Sequence, residues 1–147
     1  MELRNYQIDA INKARTSFKN GNKDIALTLC TGAGKSPISR EIIKLFREKN
    51  PKGKIAYLTF RTVLIDQMKE TLKGLDVEIG TLQGKCKTQT ELYDLVLVDE
   101  VHFARTSKLQ NNISAKYKIG LSATPITPDG FALEFDEIID DLINLNN

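Results

Sequence analysis

Short apolar runs alternate with longer segments of helical periodicity in the first half of the chain. Residues 3–18 carry apolar side chains at helical spacing and predict an amphipathic helix that ends near residues 20–22. Residues 24–29 form a β-rich apolar run and predict a strand. The next helical pattern ends at residues 50–53, and its predicted buried face consists of Ile38, Ile42, Leu45 and Phe46.

The alternation continues through residue 82. Residues 54–60 predict a second strand, and residues 77–82 predict a third. Between them lies a helical pattern that stops at Gly74, with Leu64, Met68 and Leu72 on one side. The polar residues 83–90 that follow indicate a loop.

Two further strands and a tail complete the pattern. Residues 95–98 are continuously apolar, which is typical of a strand buried on both faces. A polar segment rich in Asn and Ser, interpreted as partly helical, separates this run from a fifth strand at residues 116–121. The acidic tail, residues 130–145, has apolar residues at helical spacing and is interpreted as helical.

Strands that alternate with helices predict an α/β fold with a mainly parallel sheet. Helices would cover both faces of that sheet, giving three layers, and ligands bind at the carboxyl ends of such strands. The chain of 147 residues has the size of one domain, residues 1–147, and can bury roughly two thirds of its unfolded surface.

Composition narrows the class further. Hydrophobic residues make up 41% and charged residues 27%, as in ordinary globular proteins. No apolar run approaches the ~20 residues of a membrane span, and the N-terminus lacks a signal-peptide pattern, so we expect a cytoplasmic protein without membrane contact. Two cysteines, Cys30 and Cys86, and one histidine do not form a disulfide framework or a zinc-ligand pattern.

Charge is unevenly distributed, although the net charge is only +2. Residues 1–75 contain fifteen Lys and Arg against seven Asp and Glu, whereas residues 76–147 contain six against twelve. A basic first half is compatible with a polyanionic partner, and it is equally compatible with a solvated lysine-rich surface.

A glycine-rich loop follows the first predicted strand. Its two glycines allow successive N–H groups to converge on an anion, and the following helix adds the positive end of its dipole. The loop matches the phosphate-binding pattern except that Leu29 stands where the strict pattern has glycine. A glycine-rich turn without a ligand is the alternative. The candidate phosphate-binding residues are Thr31, Gly32, Ala33, Gly34, Lys35 and Ser36, with Lys35 on the outer phosphates and the Ser36 hydroxyl on Mg²⁺.

An acidic pair, Asp99 and Glu100, follows the fourth strand. In nucleoside triphosphate hydrolysis, Asp99 would hold magnesium, directly or through water, and Glu100 would orient and polarise the attacking water. Two solvated acids in a turn at the end of a strand are the alternative. Lys35, Asp99 and Glu100 are therefore the candidate catalytic residues, and Ser36 and Asp99 are the candidate metal ligands.

These motifs together resemble those of the first RecA-like domain of superfamily 2 helicases and translocases of the DEAH/DEVH type. Residues 31–36 are similar to the first helicase motif, residues 99–102 to the second and residues 122–124 to the third, in family order. The tail resembles the branches that contain restriction-enzyme motors, phage recombination helicases and DNA-repair helicases. The resemblance covers nearly the whole chain.

The resemblance also implies roles for further residues. Arg4 and Gln7 would recognise the adenine base, and His102, Ser122 and Thr124 would couple the nucleotide site to the nucleic acid. Contacts to the nucleic-acid backbone would come from Arg61, Gln67, Thr81 and Gln83. Gln7 could instead be an ordinary exposed residue of an amphipathic helix, Arg61 a surface residue, and Ser122 and Thr124 parts of a capped turn.

The function implied is that of the ATP-binding motor lobe of a DNA helicase or translocase. Family members have two RecA-like lobes, and this chain has room for one. We therefore expect binding of ATP and Mg²⁺, contact with nucleic acid, with DNA favoured, and feeble hydrolysis unless a second lobe completes the site. A non-catalytic module that binds nucleic acid or a partner protein is the alternative. A nucleotide kinase is disfavoured because Arg105 is the sole arginine that follows Asp99.

Overall fold

The computed structural model describes two stretches of the first half of the chain, residues 5–28 and 35–59, and several shorter ones. These are residues 62, 65–81, 84, 92–99, 113–122 and 137–140. The described helices are α1 (Asn5–Lys19), α2 (Lys35–Lys49) and α3 (Ile65–Thr71). The described strands are β1 (Asp24–Thr28), β2 (Ile55–Thr59), β3 (Glu78–Thr81), β4 (Tyr93–Asp99), β5 (Ala115–Ser122) and β6 (Glu137–Asp140).

The described strands form one six-stranded sheet in the order β3-β2-β4-β5-β1-β6. Each pairing between these neighbours is parallel. The prediction of an α/β fold with a parallel sheet is therefore confirmed, as are the five predicted strands. The partly helical interpretation of the segment before β5 falls on residues 100–112, which lie outside the described residues.

The tail departs from its predicted pattern. Residues 137–140 form β6, which pairs with β1 through Ile25↔Glu137 and Thr28↔Asp140. The helical interpretation is therefore wrong at these residues. The run Glu-Ile-Ile-Asp is short and β-branched, and the edge of β1 offers its N–H and C=O groups as partners, so pairing outweighs the helical spacing.

The core has two sides because side chains alternate across the sheet. One side joins Ile25, Leu27, Tyr57 and Leu97 to apolar side chains of all three described helices, including Ile38 and Met68. The opposite side contains Ala26, Ala56, Leu58, Val96 and Val98, each with no exposed surface, so this face is covered as well. Burial on both faces is what the continuous apolar run in β4 predicts.

An irregularity at the start of β4 fixes which face its later residues occupy. The N–H groups of Asp94 and Leu95 both donate to the carbonyl of Lys54, at 2.8 and 3.3 Å, so the regular alternation of the strand is interrupted at Asp94. The Asp94 carboxylate in turn accepts the Lys54 N–H at 2.7 Å. Consequently Tyr93 belongs to one core cluster, whereas Leu95 and Leu97 belong to the other.

The connection between α3 and β3 contains two residues in the left-handed backbone region. Gly74 has φ of 88° and Asp76 has φ of 54°. The predicted stop of α3 at Gly74 has its physical basis here, since glycine adopts positive φ without the penalty of a Cβ atom. Among the described residues, no helix is long and apolar enough to cross a membrane.

Replacing Gly74 with alanine is expected to lower the free energy of unfolding by about 1 kcal/mol, because alanine is strained at positive φ. A Cβ at this position would meet no atom within 4 Å, so backbone strain is the sole expected cause. The control is Gly80→Ala in β3, where a Cβ also meets nothing within 4 Å and φ is not positive. Urea denaturation measures both, and equal effects of the two substitutions would contradict the explanation.

Candidate functional site

Three central strands bring candidate residues together at the carboxyl edge of the sheet. Asp99 ends β4 opposite Leu121 of β5, and the next residue of β5, Ser122, pairs with Thr28 of β1. Because β4, β5 and β1 are adjacent, the ends of these strands lie side by side. This is the edge at which parallel α/β sheets bind ligands.

Helix α2 begins at the same edge. It starts at Lys35, with Ser36 next and Pro37 in its first turn, where proline is tolerated. The strand-loop-helix arrangement expected of a phosphate loop is therefore present, with β1 ending at Thr28 and α2 beginning at Lys35. The first turn of an α-helix has N–H groups without partners within the helix and carries the positive end of the helix dipole, and in this 15-residue helix that turn begins at Lys35.

Asp99 is a buried acidic residue of the site. Its exposed fraction is 3%, and it is the last residue of a strand whose preceding apolar residues have no exposed surface. Burying a carboxylate is costly unless polar or cationic groups compensate for the lost water. This burial contradicts the alternative of a solvated acid for Asp99. A carboxylate and a serine hydroxyl are oxygen ligands of the kind that Mg²⁺ prefers, so Asp99 and Ser36 fit that ion by chemistry.

Gln7 lies in the first part of α1 and is also buried, with 3% of its surface exposed. The alternative that Gln7 is an ordinary exposed residue of the helix is therefore wrong. It precedes Ala10, Ile11 and Ala14, which are the predicted apolar face of α1 and lie in the core. Whether Gln7 recognises a base stays a prediction.

The described nucleic-acid candidates lie in α3 and in β3, the edge strand that neighbours β2. Gln67 is exposed in α3, and Thr81 is the half-buried last residue of the edge strand β3. The Thr81 hydroxyl accepts a hydrogen bond from the Gly84 N–H at 3.2 Å. A Cβ on Gly84 would lie 2.9 Å from that hydroxyl oxygen, so a larger residue there would require the Thr81 side chain to shift.

Several candidate residues fall in segments that lie outside the described residues, and their roles stay predictions. They are Arg4, Thr31, Gly32, Ala33, Gly34, Arg61, Gln83, Glu100, His102 and Thr124. For Lys35, Ser36 and Ser122 the structure describes the backbone, which starts α2 or ends β5.

The sequence pattern did not indicate three polar residues that the structure makes prominent. Thr59 is fully buried at the carboxyl end of β2, and a polar residue at the end of an apolar run could have indicated it. Arg40 and Arg47 of α2 donate hydrogen bonds to main-chain carbonyls between residues 51 and 76. Their seven-residue spacing, which is two helical turns, is the signal that could have drawn attention to them.

Comparison with known families identifies the domain. Residues 1–91 match the family described as the Type III restriction enzyme, res subunit. The chain belongs to this family. IRC3 of Saccharomyces cerevisiae, which is named as an ATP-dependent helicase, is 28% identical over 163 aligned positions that cover 91% of this chain and 24% of IRC3.

Solved structures with the same fold include an ATPase core and a helicase. The SWI2/SNF2 ATPase core of Sulfolobus solfataricus in complex with dsDNA has a TM-score of 0.72 at 17% identity, over 86% of this chain and 33% of that one. The UvsW helicase of bacteriophage T4 has a TM-score of 0.68 at 23% identity, over 95% of this chain and 60% of that one. These similarities show the fold, and the chain spans about a quarter of IRC3 and at most 60% of these two structures.

The predicted resemblance is confirmed at the level of the domain. The chain is a RecA-like domain of the superfamily 2 helicases and a motor domain of the helicase class. In that fold the sheet is parallel and α2 follows β1. Both features are consistent with a ligand site at the carboxyl edge of the sheet.

Proposed function

We propose that this chain is the N-terminal motor lobe of a DNA helicase or translocase, which binds ATP and Mg²⁺ at the carboxyl edge of its sheet. The observation that carries the proposal is the convergence of buried Asp99, the end of β5 at Ser122 and the start of α2 at Lys35. Residues 1–147 would form this single lobe.

Different residues would bind the phosphates, the base and the magnesium ion. Lys35 and the backbone of residues 31–34 would bind the phosphates, and Arg4 and Gln7 would bind the base. Asp99 and Ser36 would hold Mg²⁺, which neutralises charge that develops on the phosphate oxygens during transfer. Glu100 would orient the attacking water. His102, Ser122 and Thr124 would couple the nucleotide site to the nucleic acid.

The nucleic acid would contact the part of the sheet edge near β2 and β3. Exposed Gln67 and the Thr81 turn are supported as backbone contacts by their position, and Arg61 and Gln83 are the remaining candidates. DNA is the proposed partner because the similar SWI2/SNF2 core was solved with dsDNA and because the family is that of a restriction-enzyme subunit.

A second RecA-like lobe, in the same full-length protein or added separately, would complete the ATP site. An arginine supplied from a second element raises the phosphoryl-transfer rate of GTPases by about 10³-fold or more. The chain by itself is therefore proposed to hydrolyse ATP weakly.

Replacing Lys35 with alanine is expected to weaken binding of ATP with Mg²⁺ at least about tenfold, because a charge-assisted contact to phosphate is worth about 1.5–3 kcal/mol. Isothermal titration calorimetry measures the affinity. The control is Lys44→Ala, which removes the same charge from an exposed position of the same helix. Equal affinity of the Lys35 variant and the parent protein would refute the assignment of the phosphate loop.

An ATP turnover assay distinguishes the proposed function from the alternative, which is a non-catalytic binding module. That module would bind DNA or a partner protein, and it would show no ATP turnover even with single-stranded DNA and a second lobe added. Turnover under any of these conditions rules the alternative out.

A further inference from the structure

We propose that Arg40 and Arg47 are positioning residues that join the nucleotide end of α2 to the unit that would contact nucleic acid. This inference rests on the proposed function. The unit, here called the α3–β3 unit, comprises residues 65–81. The proposal concerns how these two arginines hold it, and it assigns them no contact with either ligand.

Arg40 holds the end of α3. Its Nη1 donates to the carbonyl of Thr71 at 2.9 Å and to the carbonyl of Lys73 at 3.3 Å. Carbonyls at the end of a helix have no partner within that helix, so a guanidinium is well suited to satisfy them and to interact with the negative end of the helix dipole. Arg40 thereby links the first half of α2 to the last turn of α3.

Arg47 holds the next part of the same connection. Its Nη2 donates to the carbonyl of Asp76 at 2.7 Å, and its Nη1 donates to the carbonyls of Pro51 and Gly53. Asp76 has a positive φ, a backbone conformation that is costly for a residue other than glycine. The hydrogen bond to its carbonyl helps to hold this conformation, so Arg47 fixes the path of the chain into β3.

The two arginines act as one clamp. They are seven residues apart and therefore lie on the same side of α2, and their acceptors at residues 71, 73 and 76 span the whole connection from α3 to β3. Gln67 lies before this connection and Thr81 after it. Among the described strands, β3 is at the sheet edge and has β2 as its one neighbour. A central strand is held by hydrogen bonds to two neighbouring strands, and here the hydrogen bonds of the two arginines help to hold the chain that leads into β3.

The other end of α2 is the nucleotide end. The helix runs without interruption from Lys35 to Lys49, a length of about 22 Å, and it packs into the core through Ile38, Ile42 and Ile43. A small displacement of its first turn on phosphate binding would move Arg40 and Arg47 with it. The two arginines would then carry this displacement to Gln67 and Thr81. Binding of either ligand would therefore shift the position of α2 relative to the α3–β3 unit, and through this shift the two ligands would affect each other's binding.

The test measures the coupling between the two ligands in the 147-residue chain. The dissociation constant for a short fluorescent DNA duplex is determined by anisotropy with and without a non-hydrolysable ATP analogue and Mg²⁺. In the parent protein we expect the analogue to change this constant about fivefold or more, which is within the usual range of allosteric coupling. In Arg40→Ala we expect a change of less than about twofold, with the affinity for the analogue unchanged.

Three further variants separate positioning from folding. Arg40→Lys keeps a donor for one carbonyl and should restore part of the coupling, and Arg47→Ala should reduce it as Arg40→Ala does. Lys44→Ala, an exposed charge between the two arginines, should keep the parent coupling. The melting temperature of each variant is recorded, because a purely structural role would alter stability and leave the coupling ratio unchanged.

The outcomes are distinct. Loss of coupling in Arg40→Ala at parent affinity for the analogue supports the inference. Retained coupling in Arg40→Ala, or a parent protein that binds both ligands independently, overturns it and leaves the proposed function intact. A parent protein that binds no ATP analogue refutes the proposed function, and the inference is refuted with it.

Discussion

Replacing Asp99 with asparagine is expected to lower ATP turnover by about a hundredfold or more, in the presence of DNA and at saturating Mg²⁺. The variant keeps the shape of the side chain and removes the charge that would hold the metal ion. Charge stabilisation by a metal at a phosphoryl group is worth several kcal/mol, and each 1.4 kcal/mol corresponds to about tenfold in rate. Single-turnover hydrolysis of labelled ATP, with protein in excess, measures the rate even when hydrolysis is weak.

Asp94→Asn provides a matched control for this substitution. Asp94 lies in the same strand, at the amino end of β4, where its carboxylate accepts the Lys54 N–H at 2.7 Å and lies 3.8 Å from the Lys116 ammonium. We expect this variant to lose at most about 1 kcal/mol of stability, the net value of a typical hydrogen bond, and to hydrolyse ATP at the parent rate. Equal turnover in Asp99→Asn and the parent would remove Asp99 from the mechanism.

Replacing Leu97 with alanine is expected to lower the free energy of unfolding by about 2–5 kcal/mol. Leu97 has no exposed surface and lies in the central strand β4, between β2 and β5, so neighbouring groups on several elements surround the space that it would vacate. For a domain whose total stability is about 5–15 kcal/mol, this is a large fraction. Urea denaturation followed by circular dichroism measures the loss.

The control for Leu97 is Leu92→Ala, five residues earlier in the chain. Leu92 is 54% exposed, immediately before β4, and its truncation should change stability by no more than about 0.5 kcal/mol. Similar losses in the two variants would show that β4 is not the centre of the core. ATP affinity of the Leu97 variant at low temperature should remain close to that of the parent, because the folded fraction retains the site.

Local pattern is sufficient to predict most elements of this fold. The strands at residues 24–28, 55–59 and 93–99 are recognisable because a strand buried on both faces is continuously apolar, and the helices because their apolar residues recur at helical spacing. The glycine loop and the acidic pair are recognisable because phosphate and magnesium chemistry requires these residue types after strands. The order of these motifs along the chain is enough to indicate the helicase family.

Other features depend on partners that are distant in the sequence. Spacing alone does not distinguish the strand at residues 137–140 from a helix, since its stability comes from pairing with β1, more than a hundred residues earlier. Gln7 shares the helical spacing of Ala10, Ile11 and Ala14, but its side chain is polar, and its burial follows from the packing of α1 against the rest of the domain. The irregularity at Asp94 likewise depends on the carbonyl of Lys54, forty residues away.

Residue type and local spacing were enough to predict the class of fold and the resemblance to the family, and they carry the prediction of a phosphate loop. Tertiary pairing settled which strands are neighbours, and so which strand ends meet at one edge: Thr28, Asp99 and Ser122 are adjacent only through the order of β4, β5 and β1. Helix packing likewise brought Arg40 and Arg47 within reach of the carbonyls of residues 71–76. Long-range pairing and packing set these contacts, and no local pattern encodes them.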